Sequence, residues 1–214
     1  MTRSIGRLAC SAALALGLAA CAPAPAEAPA EEAAAAESGP TASDWTLDPA
    51  SSHLSYVSLK AGEIAEANRF DRLSGTVAAD GTARIEIALA SVNTGVGVRD
   101  ERMREIFFQV AEYPTAVVTA ALDPATFVGI DVGQVTVRPL AATLALKGME
   151  APIETEVQVA RVSEDRVLVT PTRPVIITTD MFGLTDELGE LRALAQLPSI
   201  SPAVPVTFTL AFRR

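Results

Sequence analysis

Residues 91–118, SVNTGVGVRDERMREIFFQVAEYPTAVV, contain the helix signal around which the rest of the chain is organised. The segment begins and ends in strand-like runs, and the charged stretch 99–108 predicts a short helix with acids in its first turn. Met103, Ile106 and Phe107 share one face at three- and four-residue spacing. The Tyr-Pro pair that follows ends the helix. Two interpretations stay open: the helix plugs a core, or it is a lid whose apolar side meets a ligand.

Outside this helix, short alternating runs separated by turn signals predict a β protein. The predicted strands cover 46–58, 70–78, 83–89, 115–122, 135–146, 153–162, 166–178 and 204–212. Turns are expected at Asp80-Gly81, Lys147-Gly148 and Glu164-Asp165. A second helix over 186–194 carries a stripe of Leu184, Leu188, Leu191 and Leu194. The strands do not alternate regularly with helices, so the sequence favours an all-β antiparallel barrel or sandwich over a parallel sheet.

The size of the inward-facing residues favours an extended, lipocalin-like barrel of about eight strands. Aromatic residues make up only 5% of the chain, and small residues leave volume inside a barrel of this size. The small inward candidates are Ala116, Val118, Ala120, Ala141, Thr143 and Ala145. By alternation, the predicted cavity or core residues are Leu54, Tyr56, Ile85, Ile87, Leu89, Val206, Phe208 and Leu210, with Phe107 and Phe108 capping one end.

The first twenty residues are typical of a secretory signal, with two arginines before an apolar run over 8–20 that is too short to span a bilayer. The run ends in Leu-Ala-Ala-Cys, which resembles the bacterial lipoprotein box and predicts lipidation of Cys21. An Ala/Pro/Glu-rich tether then extends to residue 43, and the folded domain covers 44–214. We expect an acyl-anchored protein, at the outer membrane and facing the periplasm.

The residues that carry most enzyme chemistry are scarce. The single histidine, His53, lies beside serines without a nucleophile elbow, and no second histidine is present to complete a zinc site. The formal net charge of −9 argues against a nucleic-acid partner. We therefore expect no enzyme activity, no metal and no cofactor, apart from an isoprenoid or quinone held as a ligand.

Several separated motifs together resemble the YceI-like family of secreted bacterial proteins. They are Trp45-Thr46-Leu47-Asp48, Arg69-Phe70, Leu73-Ser74-Gly75, Ser91-Val92-Asn93-Thr94, Arg99-Asp100, Met103, Phe107-Phe108, Tyr113-Pro114, Leu144, Lys147-Gly148, Pro152 and Asp180-Met181-Phe182-Gly183. The resemblance implies a lipocalin-like barrel with an apolar tunnel for a long isoprenoid chain, such as a quinone tail. The histidine that the family commonly places near the first strand falls here on Ser51, and the stretch 63–68 looks like an insertion.

The sequence therefore predicts a lipid-binding protein of the cell envelope, with an apolar ligand in its barrel and a membrane contact through its acyl anchor. The alternative is a structural or interaction protein of the envelope whose barrel is filled and holds no ligand. A homodimer is left open.

Overall fold

The structure is a computed structural model that describes residues 44–124 and 129–214. The predicted signal sequence, the predicted lipidation site at Cys21 and the predicted tether up to residue 43 lie outside the described residues. Within the described part, no helix is long and apolar enough to cross a membrane.

Twelve strand segments form one antiparallel sheet. They are β1 (Trp45–Leu47), β2 (His53–Lys60), β3 (Ile64–Phe70), β4 (Leu73–Val77), β5 (Thr82–Ala88), β6 (Val92–Asn93), β7 (Thr115–Ala121), β8 (Val135–Leu146), β9 (Met149–Ser163), β10 (Arg166–Pro171), β11 (Val175–Thr178) and β12 (Ala203–Arg213). The helical elements are α1 (Gly97–Arg102), a π-helix (Met103–Phe107), α2 (Thr185–Leu194) and 3-10 turns at Pro49–Ser51, Leu89–Ser91 and Thr179–Phe182.

The twelve segments make up eight strands, because four of the strands are interrupted. The interrupted strands are β1 with β2, β3 with β4, β5 with β6, and β10 with β11, and in each case the two halves pair with the same neighbouring strand. Each strand lies beside the next one along the chain, and β12 pairs with β1 and β2 to close the ring. The predicted antiparallel barrel of about eight strands is confirmed.

Alternation predicted uninterrupted strands, whereas several of the observed strands are interrupted. The predicted strand over 46–58 breaks at a 3-10 turn, where the Asp48 carboxylate accepts a hydrogen bond from the Ala50 N–H at 3.2 Å. A second difference concerns 63–68, for which no strand was predicted: residues 64–68 belong to β3. Ala61 and Gly62 form the preceding turn with φ of 52° and 76°, and only residues 61–63 separate the two paired strands.

The helix predicted over 99–108 is two consecutive helices rather than one. The α1 helix ends at Arg102, and the next turn is a π-helix in which the Phe108 N–H donates to the Met103 carbonyl oxygen at 2.9 Å. A π turn rotates each residue less than an α turn does. Met103 and Phe107 therefore face the barrel interior together with Phe108, whereas Ile106 does not, contrary to the α-helical spacing.

The second predicted helix is present, but its leucine stripe is shorter than expected. Leu184 is buried, and Leu188 and Leu191 face the interior of the barrel. Leu194, at the last position of α2, is 45% exposed. The stripe therefore ends one turn before the helix does.

The connections alternate between the two ends of the barrel, because consecutive strands are antiparallel. The helical end carries the β2–β3 hairpin, α1 with the π-helix, the Lys147-Gly148 turn and α2. The turn end carries the β4–β5 and β9–β10 hairpins and the outer ends of β1 and β12. Lys147 and Gly148 have φ of 51° and 75°, as the predicted two-residue hairpin requires.

We predict that replacing Gly81 with alanine destabilises the barrel. Gly81 has a φ of 90°, and its carbonyl oxygen accepts from the Leu122 N–H at 2.9 Å. A Cβ at this position would overlap the Leu122 carbonyl oxygen, so the backbone must shift. We expect a loss of at least ~2 kcal/mol in the free energy of unfolding, measured by urea denaturation.

Gly62→Ala is the matched control for this substitution. Gly62 also has a positive φ of 76°, but a Cβ there would meet no atom within 4 Å. The control should lose only ~1 kcal/mol of its free energy of unfolding, which is the cost of the strained backbone. Equal losses for the two variants would contradict the steric explanation.

Candidate ligand-binding cavity

A cavity of about 890 Å³ lies inside the barrel and runs along its length. Trp45 and Arg214 line it at the turn end, and Lys60 and Arg99 line it at the helical end. Cavities that bind small molecules in proteins typically measure ~300–1,000 Å³. The barrel interior is therefore not filled by its own side chains.

Inward-facing residues on successive strands make most of the wall apolar. The ten candidates predicted from sequence all line the cavity: Leu54, Tyr56, Ile85, Ile87, Leu89, Phe107, Phe108, Val206, Phe208 and Leu210. On β12, the alternating residues Val204, Val206, Phe208, Leu210 and Phe212 all face it. That these residues contact a ligand stays a prediction.

The predicted face of β8 is wrong by one residue. Leu140, Ala142, Leu144 and Leu146 line the cavity, whereas Ala141, Thr143 and Ala145 do not. Val118 of β7 faces inward as predicted and pairs with Leu144. Residues directly opposite each other on paired strands share one face of the sheet, so Leu144 must face inward too. Ala116 and Ala120 of β7 also line the cavity.

Four aromatic rings lie side by side near the helical end. The centroids of Tyr56 and Phe70 are 5.7 Å apart, those of Phe70 and Phe108 are 5.8 Å apart, and those of Phe107 and Phe108 are 5.0 Å apart. These spacings are typical of favourable aromatic pairs. The row connects β2 and β3 to the helical segment that covers them.

A polar cluster lies beyond this aromatic row. It consists of Tyr56, Ser58, Lys60, Glu66, Asn68 and Arg99, all of which line the cavity. Lys60 Nζ and Arg99 Nη1 lie 2.9 Å and 2.6 Å from the two Glu66 carboxylate oxygens. Sequence analysis missed the cluster because 63–68 was interpreted as an insertion. The signal was present, since Ser58 and Lys60 continue the alternation of Leu54 and Tyr56.

The electrostatics of this cluster keep its groups in defined protonation states. Hydrogen bonding to Lys60 lowers the pKa of the Glu66 carboxyl against the opposing effect of desolvation, and Arg99 lowers it further. Glu66 is therefore ionised at neutral pH. Burial raises the pKa of the Tyr56 phenol, and the nearby Arg99 guanidinium only partly offsets this. Tyr56 therefore keeps its proton.

Helix α2 covers the helical end of the cavity. Leu188 and Leu191 line it from the helix, and Ala195 and Leu197 line it from the segment that follows. An ion pair between Lys147, in the β8–β9 turn, and Glu187, in the first turn of α2, fastens the helix to the barrel. Both side chains are largely buried, at 12% and 17% exposed.

The histidine considered for catalysis does not line the cavity, and no metal site is found among the described residues. His53 is exposed on the outer face of β2, out of phase with Leu54 and Tyr56. Within the described ranges, 44–124 and 129–214, no three His, Cys, Asp or Glu side chains are grouped as metal ligands.

Comparisons with known proteins agree with this architecture. The family model of the YceI-like domain matches residues 45–212. Among solved structures, the chain is similar to a polyisoprenoid binding domain from Saccharophagus degradans implicated in plant cell wall breakdown. The two share 39% identity and a TM-score of 0.77, over 79% of this chain and 97% of that one.

A second solved structure shares the fold at lower identity. It is BcnA of Burkholderia cenocepacia, with 22% identity and a TM-score of 0.60 over 77% of this chain and 98% of that one. No curated protein matches the chain.

We predict that Lys147→Met loosens α2. The substitution leaves the Glu187 carboxylate in a largely buried position without its cation, which costs less than the ~3–5 kcal/mol of a fully buried pair. We expect a loss of ~1–3 kcal/mol in the local stability of α2, measured by hydrogen exchange of its amides. The Lys147→Met/Glu187→Leu double variant should lose less, because no charge is left unpaired. Unchanged exchange in Lys147→Met would show that α2 is held by its leucines alone.

The same ion pair predicts a dependence of α2 stability on pH. Desolvation raises the pKa of the Glu187 carboxyl, but hydrogen bonds from Lys147 and from the backbone outweigh it and lower the pKa below 4.5. A lowered pKa in the folded state means that the pair stabilises α2 fully above pH 4.5 and loses this effect as the pH falls through the lowered value. Exchange of the α2 amides should show this acid-dependent loss in the wild type and not in the double variant.

Proposed function

The chain belongs to the YceI-like family, and we propose that it is a lipid-binding protein whose barrel holds a polyisoprenoid or the tail of an isoprenoid quinone. The observation that carries this proposal is the cavity of about 890 Å³, which is apolar over most of its wall and extends from the turn end to the helical end. An apolar space that extends between the two ends of the barrel fits a long hydrocarbon chain better than a compact ligand. The related domain from Saccharophagus degradans, described as polyisoprenoid binding, supports the same class of ligand.

Burial of apolar surface would supply the affinity. Each CH₂ group removed from water contributes ~0.8 kcal/mol, and a preformed cavity loses little entropy when it is filled. The ten residues predicted from sequence are the proposed ligand contacts; they face this space from β2, β5, the 3-10 turn after β5, β12 and the helical segment. The alternative, an envelope protein with a filled barrel, is disfavoured by the volume inside the barrel.

We also propose that the protein binds its ligand without chemical conversion and acts from the membrane surface. The lipoprotein box that ends in Cys21 and the tether that follows would hold the barrel at the periplasmic side of the outer membrane. The tether would give the barrel reach, so that its cavity can exchange apolar molecules with the bilayer.

The proposed ligand class is tested by mass spectrometry of organic extracts from protein purified without detergent. A stoichiometric isoprenoid or quinone would establish the ligand. An extract without apolar compounds, together with no uptake of added polyisoprenoid or quinone, would overturn the proposal.

Substitutions at two neighbouring alanines of β8 test whether the barrel interior is the binding site. Ala142 lines the cavity, whereas Ala141 is exposed on the outer face. Ala142→Phe should displace roughly two CH₂ groups of ligand and weaken binding about tenfold. Ala141→Phe should bind as the wild type does. Quenching of the single tryptophan, Trp45, which lines the cavity, reports quinone binding.

Equal affinities of the two variants would contradict a site inside the barrel. A comparison of their urea denaturation with that of the wild type separates blocked binding from misfolding. Because the phenyl ring at residue 142 enters unfilled space, we expect no large loss of stability in either variant.

A further inference from the structure

Five buried side-chain polar atoms have no hydrogen-bond partner among the described residues, and three of them belong to the polar cluster at the helical end of the cavity. These three are the Tyr56 hydroxyl oxygen, Asn68 Oδ1 and Arg99 Nε; the other two are Thr179 Oγ1, whose residue also lines the cavity, and Glu187 Oε2. A buried polar atom that loses its hydrogen bond to water destabilises the folded protein, so such atoms are rare. Three such atoms lie in one cluster, on residues that line the same cavity. This grouping indicates that a group of the ligand forms the missing hydrogen bonds.

Strand register brings Tyr56 and Asn68 together. They are directly opposite each other on β2 and β3, two pairs away from Ser58 and Glu66 and therefore on the same face of the sheet. The Asn68 amide has a defined orientation, because Nδ2 donates to the Glu66 carbonyl oxygen at 3.1 Å and to Ser58 Oγ at 3.0 Å. A carbonyl oxygen can only accept, so Oδ1 must be the atom without a partner.

The Arg99 side chain is held in place by its other nitrogen atoms. Nη1 donates to Glu66 Oε2 at 2.6 Å, and Nη2 donates to the Thr94 carbonyl oxygen at 2.8 Å. Nε is the third nitrogen of this guanidinium, and its single N–H has no acceptor among the described residues. Lys60 and Arg99 both pair with Glu66, so each charged side chain of this cluster already has an oppositely charged partner. The three atoms without partners lack hydrogen bonds.

The three unpartnered atoms correspond to two donors and one acceptor. A hydroxyl group accepts two hydrogen bonds and donates one, so a single hydroxyl complements the set. A quinone carbonyl could accept from Tyr56 and Arg99 but would leave Asn68 Oδ1 without a donor. A diphosphate offers no donor when ionised and would place negative charge beside the Glu66 carboxylate.

We propose that Tyr56, Asn68 and Arg99 form a subsite for an uncharged, hydroxyl-bearing head group on the isoprenoid ligand. A prenyl alcohol and a prenylated hydroquinone both carry this group. The inference rests on the proposed function, because it assumes that the tail lies in the apolar part of the same cavity. It adds the chemistry by which one isoprenoid is selected over another.

Ligands that share a tail and differ in head group test the subsite. The probes are geranylgeraniol, its diphosphate, the corresponding hydrocarbon and a geranylgeranyl hydroquinone, each titrated against the full chain. We expect the alcohol and the hydroquinone to bind more tightly than the hydrocarbon and the diphosphate. Whichever of the alcohol and the hydroquinone binds more tightly identifies the source of the hydroxyl group.

Tyr56→Phe and Asn68→Leu identify the residues responsible. Each should reduce the ratio of alcohol affinity to hydrocarbon affinity about fivefold, the change that corresponds to ~1 kcal/mol for one hydrogen bond. Ser55→Ala, on the outer face of β2, is the matched control and should leave the ratio unchanged. Tyr56→Phe should not lower the stability of the ligand-free protein, because the hydroxyl forms no hydrogen bond within it.

The outcomes separate this proposal from the proposed function. If the hydrocarbon and the alcohol bind equally, and Tyr56→Phe does not change their ratio, the subsite is wrong while apolar binding stands. Tightest binding of the diphosphate would also overturn the subsite, with Arg102, the other cation that lines the cavity at this end, as the group to examine. If none of the four probes binds, the proposed function itself is wrong, and the subsite that rests on it is wrong too.

Discussion

Closure of the ring by β12 is the constraint on which the rest of the structure depends. This strand pairs with β10 and β11 along one edge and with β1 and β2 along the other, so both edges of the sheet are satisfied at once. A closed ring of eight strands fixes which residues face inward. The Asp48 carboxylate supports this junction, since it interrupts the first strand and lies 2.9 Å from Arg213 near the end of β12.

Closure alone does not create a cavity; the size and polarity of the inward-facing side chains also determine whether one forms. Alanine at several inward positions of β7 and β8 leaves volume, whereas leucine, valine and phenylalanine on β12 keep the wall apolar. The polar cluster described above interrupts this apolar wall where β2 and β3 meet the α1 segment. One cavity therefore offers two environments, an apolar length suited to a tail and a hydrogen-bonding end suited to a head group.

Much of this arrangement could be predicted from sequence, because alternation reports the inward face wherever large apolar and polar residues take turns. It worked best on β12 and on β5, where the pattern is clear. It failed on β8, where the small residues Ala141, Thr143 and Ala145 were expected to face inward, whereas three leucines do; the pairing of Leu144 with Val118 of β7 fixes this face. It also failed at residues 63–68, because polar residues that face a cavity look like solvent-exposed residues. The π turn after Arg102 has no sequence signal that we recognise.

We expect the attachment of α2 to control how long a molecule stays in the cavity, independently of the stability of the barrel. The helix covers one end of the cavity and is attached through Leu188 and Leu191, the Lys147–Glu187 ion pair and a hydrogen bond from Arg102 to the Leu194 carbonyl oxygen, whereas the strands are held by a closed ladder of hydrogen bonds. We therefore expect detachment of the helix to require less free energy than global unfolding. For the proposed ligand, the dissociation rate would then depend on the attachment of α2 and not only on the strands of the barrel.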